Sequence, residues 1–337
     1  MDGFLSRTPL FLPATEGEVH GNFGNNSSRL PRETMELHRF ESFGQFENAV
    51  VNVDLKVRLL GTKDGRWRLG HTDVGGITVQ QGMETVPNLC EASGWPTHLM
   101  FLLSPGRPSA TWLNGVPFAD GKVGVLAPRR GFVFRAAGPN EWTTIALPLA
   151  SWLLNADNEA GRILRGWTRS TQMLDATPSA IETLKHAALI ASAPCTPTAT
   201  GRLLIENAIV ALVHSRRQRS AAIGRPGVSP HALCDATLDL FDLMDGTASD
   251  AERLDGLPLG RRSLRSFFHN CFGLGPVQYL HLRRLHAIHW ALLNAARGNA
   301  SIAETFELHG YAYSSYALGQ YRRIFGEAPS ATRERRR

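Results

Sequence analysis

From about residue 38 to residue 150 the chain alternates apolar and polar positions in short runs. Val51, Val53, Leu55, Val57 and Leu59 are interleaved with Asn52, Asp54, Lys56 and Arg58, a period of two that puts the apolar set on one face of a strand. Asn114-Gly115, between Ala110–Leu113 and Val116–Phe118, is the residue pair that closes a two-residue hairpin. Leu99–Leu103, Lys122–Leu126, Phe132–Arg135 and Thr143–Leu147 are further strand candidates, with Gly and Pro between them. Many short strands at close spacing predict a small barrel or sandwich.

From about 151 to 215 the spacing becomes helical. Ile205, Ile209 and Leu212 form one apolar stripe, which either packs within the chain or meets a second copy of itself, packing within the chain being the default. Residues 1–35, rich in Gly, Asn, Ser and Pro without periodicity, read as a flexible lead-in. Residues 216–230 (RRQRSAAIGRPGVSP) read as a linker, and beyond them the pattern is helical throughout. The expected division is therefore a lead-in at 1–35, a β-rich domain with trailing helices at 36–215, a linker at 216–230 and an all-α domain at 231–337.

Two stretches of the last domain share one motif. In residues 249–273 a short helix is broken near Pro258 and Gly260. A second helix then puts Leu264, Phe267, Phe268 and Phe272 inward and Arg261, Arg262, Arg265, Ser266 and His269 outward. In residues 301–326, Ser301 and Glu304 form a capping box and Gly310 ends the helix in a left-handed cap. The helix after it turns Ala317, Tyr321 and Phe325 inward and Ser315, Tyr316, Gly319, Gln320 and Arg323 outward. Between the two, a helix over about 276–296 starts at Pro276 and carries Tyr279, Leu280, Leu285, Ile288, Leu292 and Leu293 as a stripe. Its length of about 30 Å is close to the 34–36 Å of one DNA turn. Two short helices joined by a tight turn, the second armed with arginine, make a helix-turn-helix, and the arginine fork matches guanine O6 and N7.

Charge sharpens this picture. The net charge is +6, but from Gly260 onward there are twelve arginines, no lysines and four acids, +8 against −2 for the rest. One end of the chain is built to meet a polyanion, the alternative being a solvated basic face. No apolar stretch reaches the roughly 20 residues of a membrane span. The N-terminus carries no secretory pattern, and the four cysteines lie far apart, so a cytoplasmic location is expected.

Pro276-x-x-Tyr279-Leu280, Arg284-Leu285, Ser301-Ile302, Gly310-Tyr311, Tyr321-Arg322-Arg323-Ile324-Phe325-Gly326 and Pro329-Ser330 together resemble the signature of the AraC/XylS family of transcriptional regulators. The resemblance covers about 100 residues, and the ending Phe325–Thr332 resembles its EutR-like branch. It implies an α+β chain, a cupin-like β-barrel that senses a small molecule or mediates dimerisation ahead of an all-α DNA-binding domain. It also implies a regulator, usually an activator, and not an enzyme. The expected partners are double-stranded DNA at adjacent major grooves, a second copy in a homodimer, a small-molecule effector and RNA polymerase, with no membrane. The family's base-reading places fall on Arg262, Arg265 and Ser266, and on Ser314, Ser315, Tyr316 and Gly319. Arg261 and Gln320 belong to the same outward faces, and Arg322 and Arg323 either hold phosphates or end their helix favourably. The tail arginines Arg333, Arg335, Arg336 and Arg337 read as a disordered basic end.

Some positions depart from the family. Pro258 stands where a turn glycine is usual and Gly260 where a serine cap is. Phe306 replaces a small alanine and Ala317 a core phenylalanine, a swap that would keep the same volume filled. Gly319 stands where a base-reading arginine is common. No H-x-H, H-E-x-x-H, P-loop or G-x-S-x-G motif occurs, so neither a metal, a cofactor nor catalysis is expected. His98 reads as packed or surface, and Trp67, Trp95, Trp112 and Trp142 read as packing residues or the lining of an effector pocket whose residues are not otherwise marked. Two rival readings are a dimeric regulator whose barrel senses nothing and a cupin-type enzyme with an appended DNA-binding domain.

Overall fold

A computed structural model describes residues 35–61, 65–104, 110–216, 229–243, 254–257, 259–294 and 300–335. The lead-in before Met35, residues 217–228 of the linker, most of the first helix of the first motif, Pro258 and the last two arginines lie outside these residues.

Twelve strands are described: β1 (His38–Phe40), β2 (Val53–Leu59), β3 (Trp67–Val74), β4 (Ile77–Glu84), β5 (Asn88–Gly94), β6 (His98–Leu103), β7 (Thr111–Leu113), β8 (Val116–Pro117), β9 (Lys122–Leu126), β10 (Gly131–Ala136), β11 (Asn140–Pro148) and β12 (Gln172–Asp175). They form a seven-stranded sheet in the order β1-β3-β4-β11-β6-β9-β12 and a five-stranded sheet in the order β2-β5-β10-β7-β8. All ladders within them are antiparallel. Helix α1 (Phe43–Ala49) separates β1 from β2, and α2 (Trp152–Asn155), α3 (Glu159–Trp167), α4 (Pro178–Ala191) and α5 (Thr198–Ser215) follow the strands. The α+β class holds. Strand β12 interrupts the stretch whose spacing reads as helical, because its four residues pair with β9 at the sheet edge.

The hairpin signal was sound. Asn114 (φ 51°) and Gly115 (φ 78°) both take the left-handed conformation that a tight hairpin needs. A side chain on Gly115 would also meet the backbone of Asn270 at 3.2 Å, so both turn and contact require glycine.

Apolar side chains fill three layers. Between the sheets lie Ala92, Leu113, Phe132 and Phe134 from the smaller and Met100, Leu102, Leu126 and Ala146 from the larger. The outer face of the larger sheet, with Val79, Leu99, Phe101, Ile145 and Leu147, is covered by α3–α5. Ile205, Ile209 and Leu212 are fully buried there, so the stripe packs within the chain.

The outer face of the smaller sheet carries the C-terminal helices: α6 (Pro230–Leu243), α7 (Arg261–Phe272), α8 (Pro276–Asn294), α9 (Ile302–Leu308), α10 (Ser315–Phe325) and α11 (Pro329–Glu334). Leu89 and Val133 of the sheet share one core with Phe268, Phe272, Tyr279, Leu282 and Ile288. A buried ion cluster lies in the same layer. Glu91 on β5 accepts from Arg58 of β2 (2.8 Å) and from Arg283 of α8 (3.2 Å), and all three are at most 7% exposed. Burial pushes the Glu91 carboxyl upward, but the two guanidinium groups outweigh it and hold it at about 2. Asn114 meets His231 (2.8 Å), Gly131 N–H donates to Asp235, and His286 Nε2 lies 3.3 Å from the Leu59 carbonyl. The helical region is thus seated on the sheet by salt bridges and apolar contacts together.

The tail reading needs correction in part. Arg333 belongs to α11 and Arg335 caps it and pairs with Glu327, because Pro329 starts a helix whose Thr332 is tied to Tyr321 (2.7 Å).

Candidate nucleic-acid interface

Helix α7 gets no help at its start. Its N-cap is Gly260, which makes no side-chain cap bond, and no acid occupies the first turn. Leu264, Phe267, Phe268, Cys271 and Phe272 are buried, with Phe268 5.0 Å from Phe272 and 5.4 Å from Tyr279 between ring centres. Gly273 (φ 71°) closes it beside Arg135. On the opposite side Arg261, Arg262, Arg265, Ser266 and His269 are all exposed. Arg261, Arg262 and Arg265 form no ion pair with the described residues. Arg261 and Arg262 stand at the positive end of the helix dipole, where cations destabilise. On this open face the three guanidinium groups are accessible to an external anion.

The second motif is locally better secured. Ser301 and Glu304 close the capping box at the start of α9, and Gly310 (φ 65°) turns the chain. Ser314 accepts from the Ala317 N–H (3.2 Å) and starts α10. Its hydroxyl is therefore engaged as a cap. Ala317, Tyr321, Ile324 and Phe325 are buried, and Phe306 and Ala317 are both fully buried in one core, where the volume swap would act. Outward stand Ser315, Tyr316 (66% exposed), Gly319, Arg322 and Arg323, whereas Gln320 is half-buried. Nothing lies within 4 Å of the space a side chain on Gly319 would fill.

Both motifs are mounted on α8, whose 19 residues span about 28 Å. Its stripe of Tyr279, Leu280, Leu285, Ile288 and Leu292 is buried, with Leu293 half-buried. Phe325 stacks on His289 at 4.0 Å, and His289 meets the Tyr321 hydroxyl at 2.8 Å. Burial holds His286 down to about 3 and His289 to about 4, so both are neutral packing groups. Arg284 lies against Gly310. Sequence reasoning passed over its neighbour Arg283, the interdomain cation; the available signal was an arginine four residues after Tyr279 inside an apolar stripe.

The other candidates are dispersed. His98 is half-buried beside Thr97 (2.9 Å). Trp67 is buried, Trp95 is 42% exposed, and Trp112 lies under Arg135 at 3.6 Å. Trp142 donates to Glu84 at 2.8 Å. Among the described residues no three His, Cys, Asp or Glu side chains converge as a metal site would require. Likewise, no described helix is long and apolar enough to cross a membrane.

Residues 255–335 match a family described as a helix-turn-helix domain, of the AraC type. No curated protein matches the chain. Among solved structures the chain is similar to the AraC-like transcriptional activator CuxR, with 16% identity, a TM-score of 0.40 and coverage of 82% of this chain and 99% of that one. It is similar also to ToxT from Vibrio cholerae, with 10% identity, a TM-score of 0.27 and coverage of 83% and 97%. A third is the xylose-binding transcription activator xylR, with 18% identity, a TM-score of 0.26 and coverage of 40% and 39%.

Proposed function

We propose that this chain, whose residues 255–335 are a helix-turn-helix domain, is a sequence-specific transcriptional regulator and an activator, acting as a cytoplasmic homodimer without catalysis. Residues 231–337 bind DNA, residues 36–215 hold a small effector, and residues 216–230 join them. The Phe325–Thr332 ending supports the EutR-like branch, and RNA polymerase is the partner through which activation would act. The observation that carries this reading is the exposed row of Arg261, Arg262 and Arg265 on α7, without an acidic partner among the described residues and set against the helix dipole. Phosphate contacts would supply affinity, and Arg262 and Arg265 in the major groove would supply most of the base discrimination. With α7 and α10 mounted on one rigid helix, the two would address successive grooves on one side of the duplex. Effector binding would shift the population of conformers presenting the two helices.

Hydroxyl-radical footprinting on duplexes selected from a random-sequence pool tests the reading. Protection of two consecutive major grooves on one face is expected, and a selection yielding no protected grooves refutes it.

A further inference from the structure

Cys234 of α6 and Cys271 of α7 are buried free thiols, 0% and 2% exposed, in the core that seats the helices on the smaller sheet. Distant in sequence, they meet in space, with their side chains in hydrogen-bonding contact. Sulfurs already in contact need only a small approach to bond.

Three surfaces close over the pair. Helix α6 is fixed to β10 beside Cys234, where Asp235 accepts from the Gly131 N–H (2.5 Å) and from Arg130 (3.3 Å). It is fixed to the β7–β8 turn where His231 meets Asn114 (2.8 Å). Cys271 lies against the same turn, and a side chain on Gly115 would come within 3.0 Å of its sulfur. Arg135 of β10, stacked on Trp112 at 3.6 Å, lies within electrostatic reach of Cys271. Its Nε has no hydrogen-bond partner among the described residues. A buried N–H left unanswered is uncommon, and a negative sulfur at Cys271 would answer it. Burial pushes the Cys234 thiol up, and a protonated, shielded thiol is a poor nucleophile. The pair is therefore inert while the helices stay seated.

We propose that Cys234 and Cys271 are a dithiol–disulfide pair, shielded while α6 and α7 sit on the smaller sheet, whose oxidation by a small organic disulfide ties the first recognition helix to α6. When the helices lift, the Cys271 thiolate, with Arg135 beside it, attacks the organic disulfide and releases one small thiolate. The Cys234 thiolate then attacks the Cys271 sulfur of the mixed disulfide and releases the second. The two cysteine protons end on the two released thiols; the protein loses two electrons and the organic disulfide gains them. The regulatory meaning rests on the DNA-binding reading above, because α7 carries Arg261, Arg262 and Arg265.

Incubating the reduced full chain, without DNA, with glutathione disulfide, capping the remaining thiols and mapping the peptides under non-reducing conditions tests the proposal. A peptide pair joined through Cys234 and Cys271 is expected, with a glutathione adduct on the exposed Cys195. The linked chain should melt at a higher temperature and return to its starting value on reduction. Cys234→Ala should remove both the link and the rise. Asp235→Ala, which frees α6 from β10, should speed the link several-fold and leave the rate of the Cys195 adduct unchanged. Complete reaction of Cys195 with no link between Cys234 and Cys271, or a link whose rate Asp235→Ala leaves unchanged, would overturn it. Should Asp235→Ala not fold, His231→Ala loosens the same seam, and the peptide map of the unaltered chain still decides. Footprinting of the reduced chain tests DNA recognition separately, so failure of one leaves the other standing.

Discussion

In the first helix-turn-helix unit, α7 begins at a glycine that offers no cap and exposes three arginines around its positive end. In the second, α10 begins at a serine cap, follows a helix secured by a capping box, and exposes hydroxyls, an aromatic ring and bare backbone at Gly319. Their supports differ as well. The first unit is seated on the smaller sheet, where Gly115 touches Asn270, Gly273 touches Arg135, and Arg283 of the following helix reaches Glu91. The second rests on α8 through Phe325, Tyr321 and Gly310. The unit with the weaker local start has the more basic exposed face and the firmer connection to the β-rich domain. An event in the barrel would thus reach the first unit directly and the second only through α8.

The largest effect that would break this comparison lies in the ion cluster. Glu91→Gln leaves two buried guanidinium groups without a carboxylate and should cost about 3–5 kcal/mol in denaturant unfolding. Its pH dependence has a definite sign. The Glu91 carboxyl is held at about 2 against an ordinary 4.5. Its contribution is therefore complete above about 4.5 and is lost as pH falls toward about 2. Acid unfolding of the unaltered chain should be steeper in that window than that of Glu91→Gln. Coincident acid limbs would mean that the first unit is not held by this cluster.

A smaller effect separates the two reading faces. Arg265→Ala should cost about 1–3 kcal/mol on a selected site and relax its preference at one base position. Tyr316→Ala on the second face should cost less and weaken selected and random duplexes alike. Competition binding with both kinds of duplex measures this. Equal losses for Arg265→Ala on both would place sequence reading elsewhere.

The legibility of these features in the sequence follows from how local their causes are. Capping boxes, glycine stops and apolar stripes are settled within a few residues, and α9, α10 and the Asn114-Gly115 turn could be placed from them. Strand β9 was legible because its Lys122–Leu126 run is bounded by Gly121 and the Ala127-Pro128 pair. Strands β3, β4 and β5 were not. On β4 the inward face is Gln80, Gly82 and Glu84, so polar residues fall where periodicity looks for apolar ones. On β5 the outward Glu91 is buried by ion pairing with residues 33 and 192 positions away. The hydrophobic signal fails there because the barrel interior and the interdomain layer both hold charge. The outward arginines of α7 were readable from helical phase alone, whereas Ser314 as a cap and the half-buried Gln320 depend on where α10 begins and what it packs against.

The smallest expected effect sharpens the comparison at Gly319. The space above this residue is open and its backbone is helical, so a side chain there meets nothing in the protein. Gly319→Arg should stabilise α10 by up to about 1 kcal/mol through helix propensity alone. If α10 lies in a groove beside phosphates, the new guanidinium also adds one ionic contact. The slope of log binding constant against log salt should then steepen by about 0.9, on selected and random duplexes equally. An unchanged slope with a raised melting temperature would show that this face of α10 points away from DNA, leaving recognition to α7.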